Sequence, residues 1–196
     1  MLNLPNALTC SRFVTGPVFL WLLLGMTGTE TAARSWAALA VLVVTLLTDM
    51  FDGILARAQQ QVTDFGKVMD PVADSTFFMT FLFAFSAAPR FSVAIWLPLI
   101  VLYREVAMHV LRRYAALRGI VMAARTSGKA KMAAQSVVAI ALLLAIACKD
   151  SGYLAFDERA AAFWVVAFIA AVNILSLPEY LLQIPAIRNP RTPRGQ

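Results

Sequence analysis

Charge is scarce in this chain: only 14% of its 196 residues are Asp, Glu, Lys or Arg, 60% are hydrophobic, and the mean hydropathy is +0.73. Soluble domains average about 25% charged residues, so a water-soluble globular fold is excluded and the chain reads as an integral membrane protein. Polar linkers are lacking too. There is no internal repeat, no low-complexity tract and no connection long enough for a separate soluble unit, so residues 1–196 read as one membrane domain with an interfacial segment at 1–8 and a basic tail at 185–196. Histidine occurs once and cysteine twice. Cys10 and Cys148 lie near opposite ends of the chain and, in the topology below, at opposite membrane faces, which excludes an intrachain disulfide; neither has metal-ligand spacing. The opening MLNLPNALTCSRF lacks the basic segment that precedes the apolar core of a secretory signal, so the first apolar stretch reads as a retained span.

A helix needs about 20 mainly apolar residues to cross a bilayer. Six stretches qualify, near 9–27, 34–57, 67–88, 92–117, 129–148 and 160–183, which predicts an all-α, polytopic fold with six transmembrane helices. With the amino terminus in the cytoplasm, thirteen of the 17 Lys and Arg residues fall on the cytoplasmic side and four on the other. The positive-inside rule therefore places both termini in the cytoplasm.

Five of the 11 acidic residues are concentrated in TDMFDGILARAQQQVTDFGKVMDPVADS. An ionised Asp at mid-membrane costs about 2.5–3.5 kcal/mol, so Asp49, Asp52, Asp70 and Asp74 require compensation. Asp49 and Asp52 are three apart and Asp70 and Asp74 four apart, spacings that put each pair on one helical face. Two such faces make a cluster of four carboxylates at the cytoplasmic end of spans two and three. All-oxygen anionic ligation suits a hard divalent ion, Mg²⁺ or Mn²⁺. Gly53 and Ala56 leave room beside the first pair, Arg57 supplies a fixed cation suited to a phosphate oxygen, and Gly66 opens the next helix. Asp64 reads as a cap or loop residue.

The run Asp49, Asp52, Gly53, Ala56, Arg57, Gly66, Asp70, Asp74 has the form D-x2-D-G-x2-A-R-x8-G-x3-D-x3-D. It resembles the signature of the CDP-alcohol phosphotransferases, membrane enzymes with six spans. The resemblance implies attack of an alcohol on a CDP-linked lipid, giving a phosphodiester and CMP. It implies that Asp49, Asp52 and Asp70 hold two divalent ions against the diphosphate and that Asp74 is the general base, with a further contact to metal. Gly53 and Ala56 would border the cytidine, and Arg57 would hold the diphosphate. By shorter matches, Asn6, Thr9 and Arg12 would lie near the nucleotide or phosphate. The family commonly forms homodimers, and a bacterial cytoplasmic membrane is the expected location.

The acceptor is read from cations outside the motif. Arg104, followed by Glu105, lies inside an apolar run, where an ionisable residue is a functional hypothesis by default. Arg112 is two turns further on, and with Lys129 and Lys131 these residues could hold a phosphate on the acceptor. Arg113, Arg118 and Arg125 are read as positive-inside bias. This favours an acceptor alcohol that carries its own phosphate. Glycerol 3-phosphate is the commonest such acceptor, and the resemblance, which implies CDP-diacylglycerol as donor, is strongest to family members with that acceptor, through PNALTCSR, RE and GKAK…Q. Two departures weaken the match: Ser75 stands where the family commonly has lysine, and Met132 where it commonly has threonine. Inositol phosphate is the nearest rival and serine the next; choline would call for acids or an aromatic cage.

His109, between Arg104 and Arg112, is read as packed or at headgroup level, with a helper role in the acceptor site as the alternative. The three arginines of the tail are too few for nucleic-acid binding. A divalent-cation transporter would account for the aspartates but not for Arg57 or the one-sided cations.

Overall fold

The computed structural model describes the backbone of residues 4–58, 64–118 and 126–178 and the side chains within 9–50, 69–118 and 131–178. Among the described residues six α-helices follow one another: α1 Leu4–Leu24, α2 Thr31–Ala58, α3 Asp64–Ala87, α4 Trp96–Leu117, α5 Thr126–Asp150 and α6 Glu158–Leu175. A single 3-10 turn, Gly28–Glu30, joins the first two, and no strand occurs among the described residues. The first helix begins at Leu4, so residues 4–8 of the segment expected at the interface are helical, and residues 1–3 lie outside the described residues.

Among the described residues, three segments are long and apolar enough to cross a membrane: Gly28–Met50, Lys131–Asp150 and Glu158–Leu175. Around the outside, Val14, Trp21, Val44, Val110, Val137 and Trp164 are exposed. An apolar surface that extensive is foreign to soluble monomers and suits contact with lipid.

Neighbouring helices pack in the order α1, α2, α5, α6, α4, α3 and back to α1, a closed ring. The inward stripes recur every three or four residues, as one face of a helix must, and they change character along their length. On α1, Thr9 and Arg12 give way to Phe19, Leu22 and Leu23; on α3, Asp70 and Asp74 give way to Phe77, Phe81 and Phe85. On α5, Lys131 and Gln135 give way to Ala139, Leu142, Leu143 and Ile146. The apolar halves form one core, in which Phe19, Phe81, Phe85 and Phe91 touch in sequence with ring centres 5.4, 5.2 and 5.0 Å apart. The polar halves meet at one end of the ring.

The opposite end is closed by ion pairs. Arg90, between α3 and α4, donates to Asp150 at the end of α5 (Nη1 to Oδ2, 2.9 Å) and to Glu158 at the start of α6 (Nε to Oε1, 2.9 Å). Lys149 lies 2.9 Å from Glu158, and Ser35 on α2 donates to Asp150. Burial opposes the charge on Arg90, but the hydrogen bonds to Glu158 and Asp150 outweigh it and raise its pKa. The helix ends here are well formed. Asp157 caps α6 by accepting from the backbone N–H groups of Arg159 and Ala160. Gly152, at φ 83°, allows the chain to leave α5 through paired bonds from Tyr153 N to Cys148 O and from Gly152 N to Lys149 O. Both cysteines are free.

Candidate active site

A cavity of about 340 Å³ occupies the polar end of the ring. Two walls of opposite charge face each other across it. The acidic wall comes from α2 and α3, where Asp49, Asp70 and Asp74 line the space together. Each of these carboxylates is held by α1. Arg12 Nη2 lies 2.9 Å from Asp49 Oδ1, and its Nη1 lies 3.1 Å from Asp74 Oδ1. One turn earlier, Thr9 Oγ1 donates to Asp70 Oδ1 at 2.6 Å. Thr9 and Arg12 are three apart and share a face, so a single helix supplies both contacts. Arg12 is 2% exposed, which makes it a buried cation between two carboxylates on different helices.

The basic wall comes from α4 and α5. Arg104, Arg112 and Lys131 all line the same cavity as the aspartates. Arg104 pairs with Glu105, and its Nη2 donates to Ser176 Oγ at 3.0 Å. Lys131 Nζ donates to Asn173 Oδ1 at 2.8 Å and lies 4.0 Å from Glu105. Asn173 is wholly buried in α6, so α6 orients the basic wall from behind much as α1 orients the acidic one. Between the walls, His109 and Ser75 are linked at 2.8 Å and both line the cavity. His109 thus faces the cavity rather than lying solely in packing.

Several expected site residues have side chains outside the described residues: Asn6 on α1, Asp52, Gly53, Ala56 and Arg57 on α2, Gly66 on α3 and Lys129 on α5. Those that are described, Thr9, Asp49, Asp70, Asp74, Arg104, Arg112 and Lys131, converge on one end of the bundle. Among the described residues, no group of three His, Cys, Asp or Glu side chains is close enough to hold one ion. The sequence reading gave no part to Asn173 or Ser176, although an amide in the middle of AAFWVVAFIAAVNILSL is itself an intramembrane polar group that calls for a partner.

A model of the CDP-alcohol phosphatidyltransferase family matches residues 2–175. The chain belongs to this family. It is 33% identical over 184 residues to the CDP-diacylglycerol–glycerol-3-phosphate 3-phosphatidyltransferase of Bacillus subtilis (strain 168), covering 88% of this chain and 92% of that one. It is 38% identical over 135 residues to a probable phosphatidylglycerophosphate synthase of Mycobacterium tuberculosis (strain ATCC 25618 / H37Rv), covering 69% and 63%. A cardiolipin synthase (CMP-forming) of Streptomyces coelicolor (strain ATCC BAA-471 / A3(2) / M145) is 34% identical over 118 residues, covering 58% and 54%. In a CDP-alcohol phosphatidyltransferase, carboxylates and cationic side chains lining one cavity offer two chemically distinct binding surfaces.

Proposed function

We propose that the protein transfers the phosphatidyl group of CDP-diacylglycerol to glycerol 3-phosphate, releasing CMP and forming phosphatidylglycerophosphate. The observation that carries this reading is the shared cavity, in which Arg104, Arg112 and Lys131 face Asp49, Asp70 and Asp74. Cations opposite the acidic wall suit an acceptor that carries its own phosphate. Serine brings no phosphate for them to bind.

The carboxylate chemistry of Asp49, Asp70 and Asp74 suits a hard divalent cation, Mg²⁺ or Mn²⁺; the three line one cavity without converging on a single point, and Asp52 joins the set in this reading. Two such ions, when bound, would neutralise the diphosphate and polarise the phosphorus under attack. The chain's own residues supply the rest. Thr9 and Arg12 fix the carboxylates, while Arg57, Gly53 and Ala56, with Asn6 and Gly66 nearby, receive the CDP moiety. Arg104, Arg112, Lys129 and Lys131 grip the acceptor phosphate. Asp74 takes the proton as the acceptor hydroxyl oxygen bonds to the lipid-bearing phosphorus; the bond from that phosphorus to the CMP oxygen breaks, and CMP leaves with the electron pair. The proposed setting is a bacterial cytoplasmic membrane, with six helices spanning the bilayer, both termini and the cavity on the cytoplasmic side, and two copies associated. The chain acts as one catalytic domain with a basic tail.

The test is an acceptor panel. Vesicles containing the protein, CDP-diacylglycerol and Mg²⁺ should form a labelled lipid phosphate and CMP from glycerol 3-phosphate, and little product from inositol phosphate, serine or phosphatidylglycerol. Removing the divalent ion with a chelator should stop turnover, and Asp74→Asn should lower it by at least about a hundredfold while the protein stays inserted. Turnover with inositol phosphate but not glycerol 3-phosphate would reject the acceptor. Undiminished turnover in the chelator would reject the metals.

A further inference from the structure

Gln135 is a buried polar residue whose side chain has no evident employment. It lies on α5 one turn beyond Lys131, is 4% exposed, lines the cavity, and its Nε2 makes no hydrogen bond among the described residues. Buried donors left without an acceptor are rare in native proteins, and this one faces a space that must hold substrate. We propose that Gln135 donates a hydrogen bond to the non-reacting hydroxyl of a polyol phosphate acceptor and so selects a hydroxylated acceptor over a deoxygenated one. The inference rests on the glycerol 3-phosphate reading above.

The reasoning is one of unmatched partners. In that reading the acceptor's phosphate is served by Arg104, Arg112 and Lys131, and its attacking hydroxyl by Asp74. One hydroxyl remains, on the carbon between those two ends, and an oxygen there needs a donor. The carboxylates across the cavity cannot donate when ionised, Arg12 is engaged with Asp49 and Asp74, and Ser75 and His109 are hydrogen-bonded to each other. Residues four apart on a helix stand about 5–6 Å from each other at Cβ, comparable to the separation between the phosphate of a three-carbon polyol phosphate and its hydroxyls. A phosphate held by Lys131 therefore brings the middle hydroxyl within reach of Gln135. The amide also adds no charge to a wall already crowded with cations.

The experiment compares glycerol 3-phosphate with 3-hydroxypropyl phosphate, which keeps the phosphate and the reacting hydroxyl and lacks the middle one. The wild-type protein should favour glycerol 3-phosphate in kcat/KM by about tenfold, the effect of one hydrogen bond. Gln135→Met, of similar length with no donor, should lose that preference by falling on glycerol 3-phosphate alone. Gln135→Leu, which also lacks a donor and adds no charge, should behave likewise, which covers the case in which the Met variant fails to accumulate. Equal losses on both acceptors in both variants, a change confined to the KM for CDP-diacylglycerol, or a wild-type protein indifferent to the missing hydroxyl would overturn the proposal. A wild-type protein inactive on glycerol 3-phosphate would instead sink the acceptor reading beneath it.

Discussion

At the scale of single residues, Arg12 is the side chain on which the acidic wall depends. The aspartate spacing announced a cluster that needed compensation, and divalent ions were the compensation inferred from it. What the spacing could not disclose is that part of the charge balance is built into the chain. Arg12 sits far from the cluster in sequence, and only the packing of α1 against α2 and α3 brings it between Asp49 and Asp74. Removing one partner of a buried ion pair costs about 3–5 kcal/mol because the other is left uncompensated. Arg12→Met should therefore lower the thermal unfolding midpoint in detergent, and added Mg²⁺ should recover more of the loss in the variant than it gains the wild type, since cations bound at the acidic wall replace the missing charge. Equal Mg²⁺ responses in the two proteins would show that Arg12 and the ion do not answer the same carboxylates.

At the scale of elements, each of the six expected stretches overlaps one described helix, although only three of the described segments are long and apolar enough to cross a membrane. The inward stripes of α3 and α5 were legible in part, since Asp70 and Asp74, or Lys131 with the apolar residues behind it, keep helical spacing. The role of α6 was not. Its sequence is nearly uniform in hydropathy, and what matters is a single amide, Asn173, whose partner lies on another helix. In Asn173→Leu, Lys131 loses its near acceptor and keeps only the longer approach to Glu105. The ammonium is then no longer oriented for the acceptor phosphate, and the expected outcome is a rise in acceptor KM of about ten- to a hundredfold, the worth of one charge-assisted bond, with kcat and the KM for CDP-diacylglycerol nearly unchanged. A fall in kcat without a change in KM would place Asn173 outside acceptor binding.

Across the whole molecule, the ring separates chemistry from cohesion along its axis. The cavity and its charged walls occupy one end, the phenylalanine core the middle, and the Arg90 cluster the other end. The four basic residues that the positive-inside count left on the far side seemed, in sequence, to be mere residue of that count. Two of them, Arg90 and Lys149, are bound to Asp150 and Glu158, which joins the loop after α3 to α5 and α6. In Arg90→Met the Asp150 carboxylate loses its cation while Lys149 still answers Glu158, so the penalty should approach that of a broken buried pair, about 3–5 kcal/mol. Earlier thermal unfolding in detergent should follow. Because the substitution lies at the opposite end from the substrates, the surviving folded fraction should keep the wild-type KM for both of them below the new midpoint. A shift of either KM at temperatures where the variant is fully folded would mean that the far end sets the spacing of α4 and α5 at the cavity, and that the two ends of the ring are mechanically one.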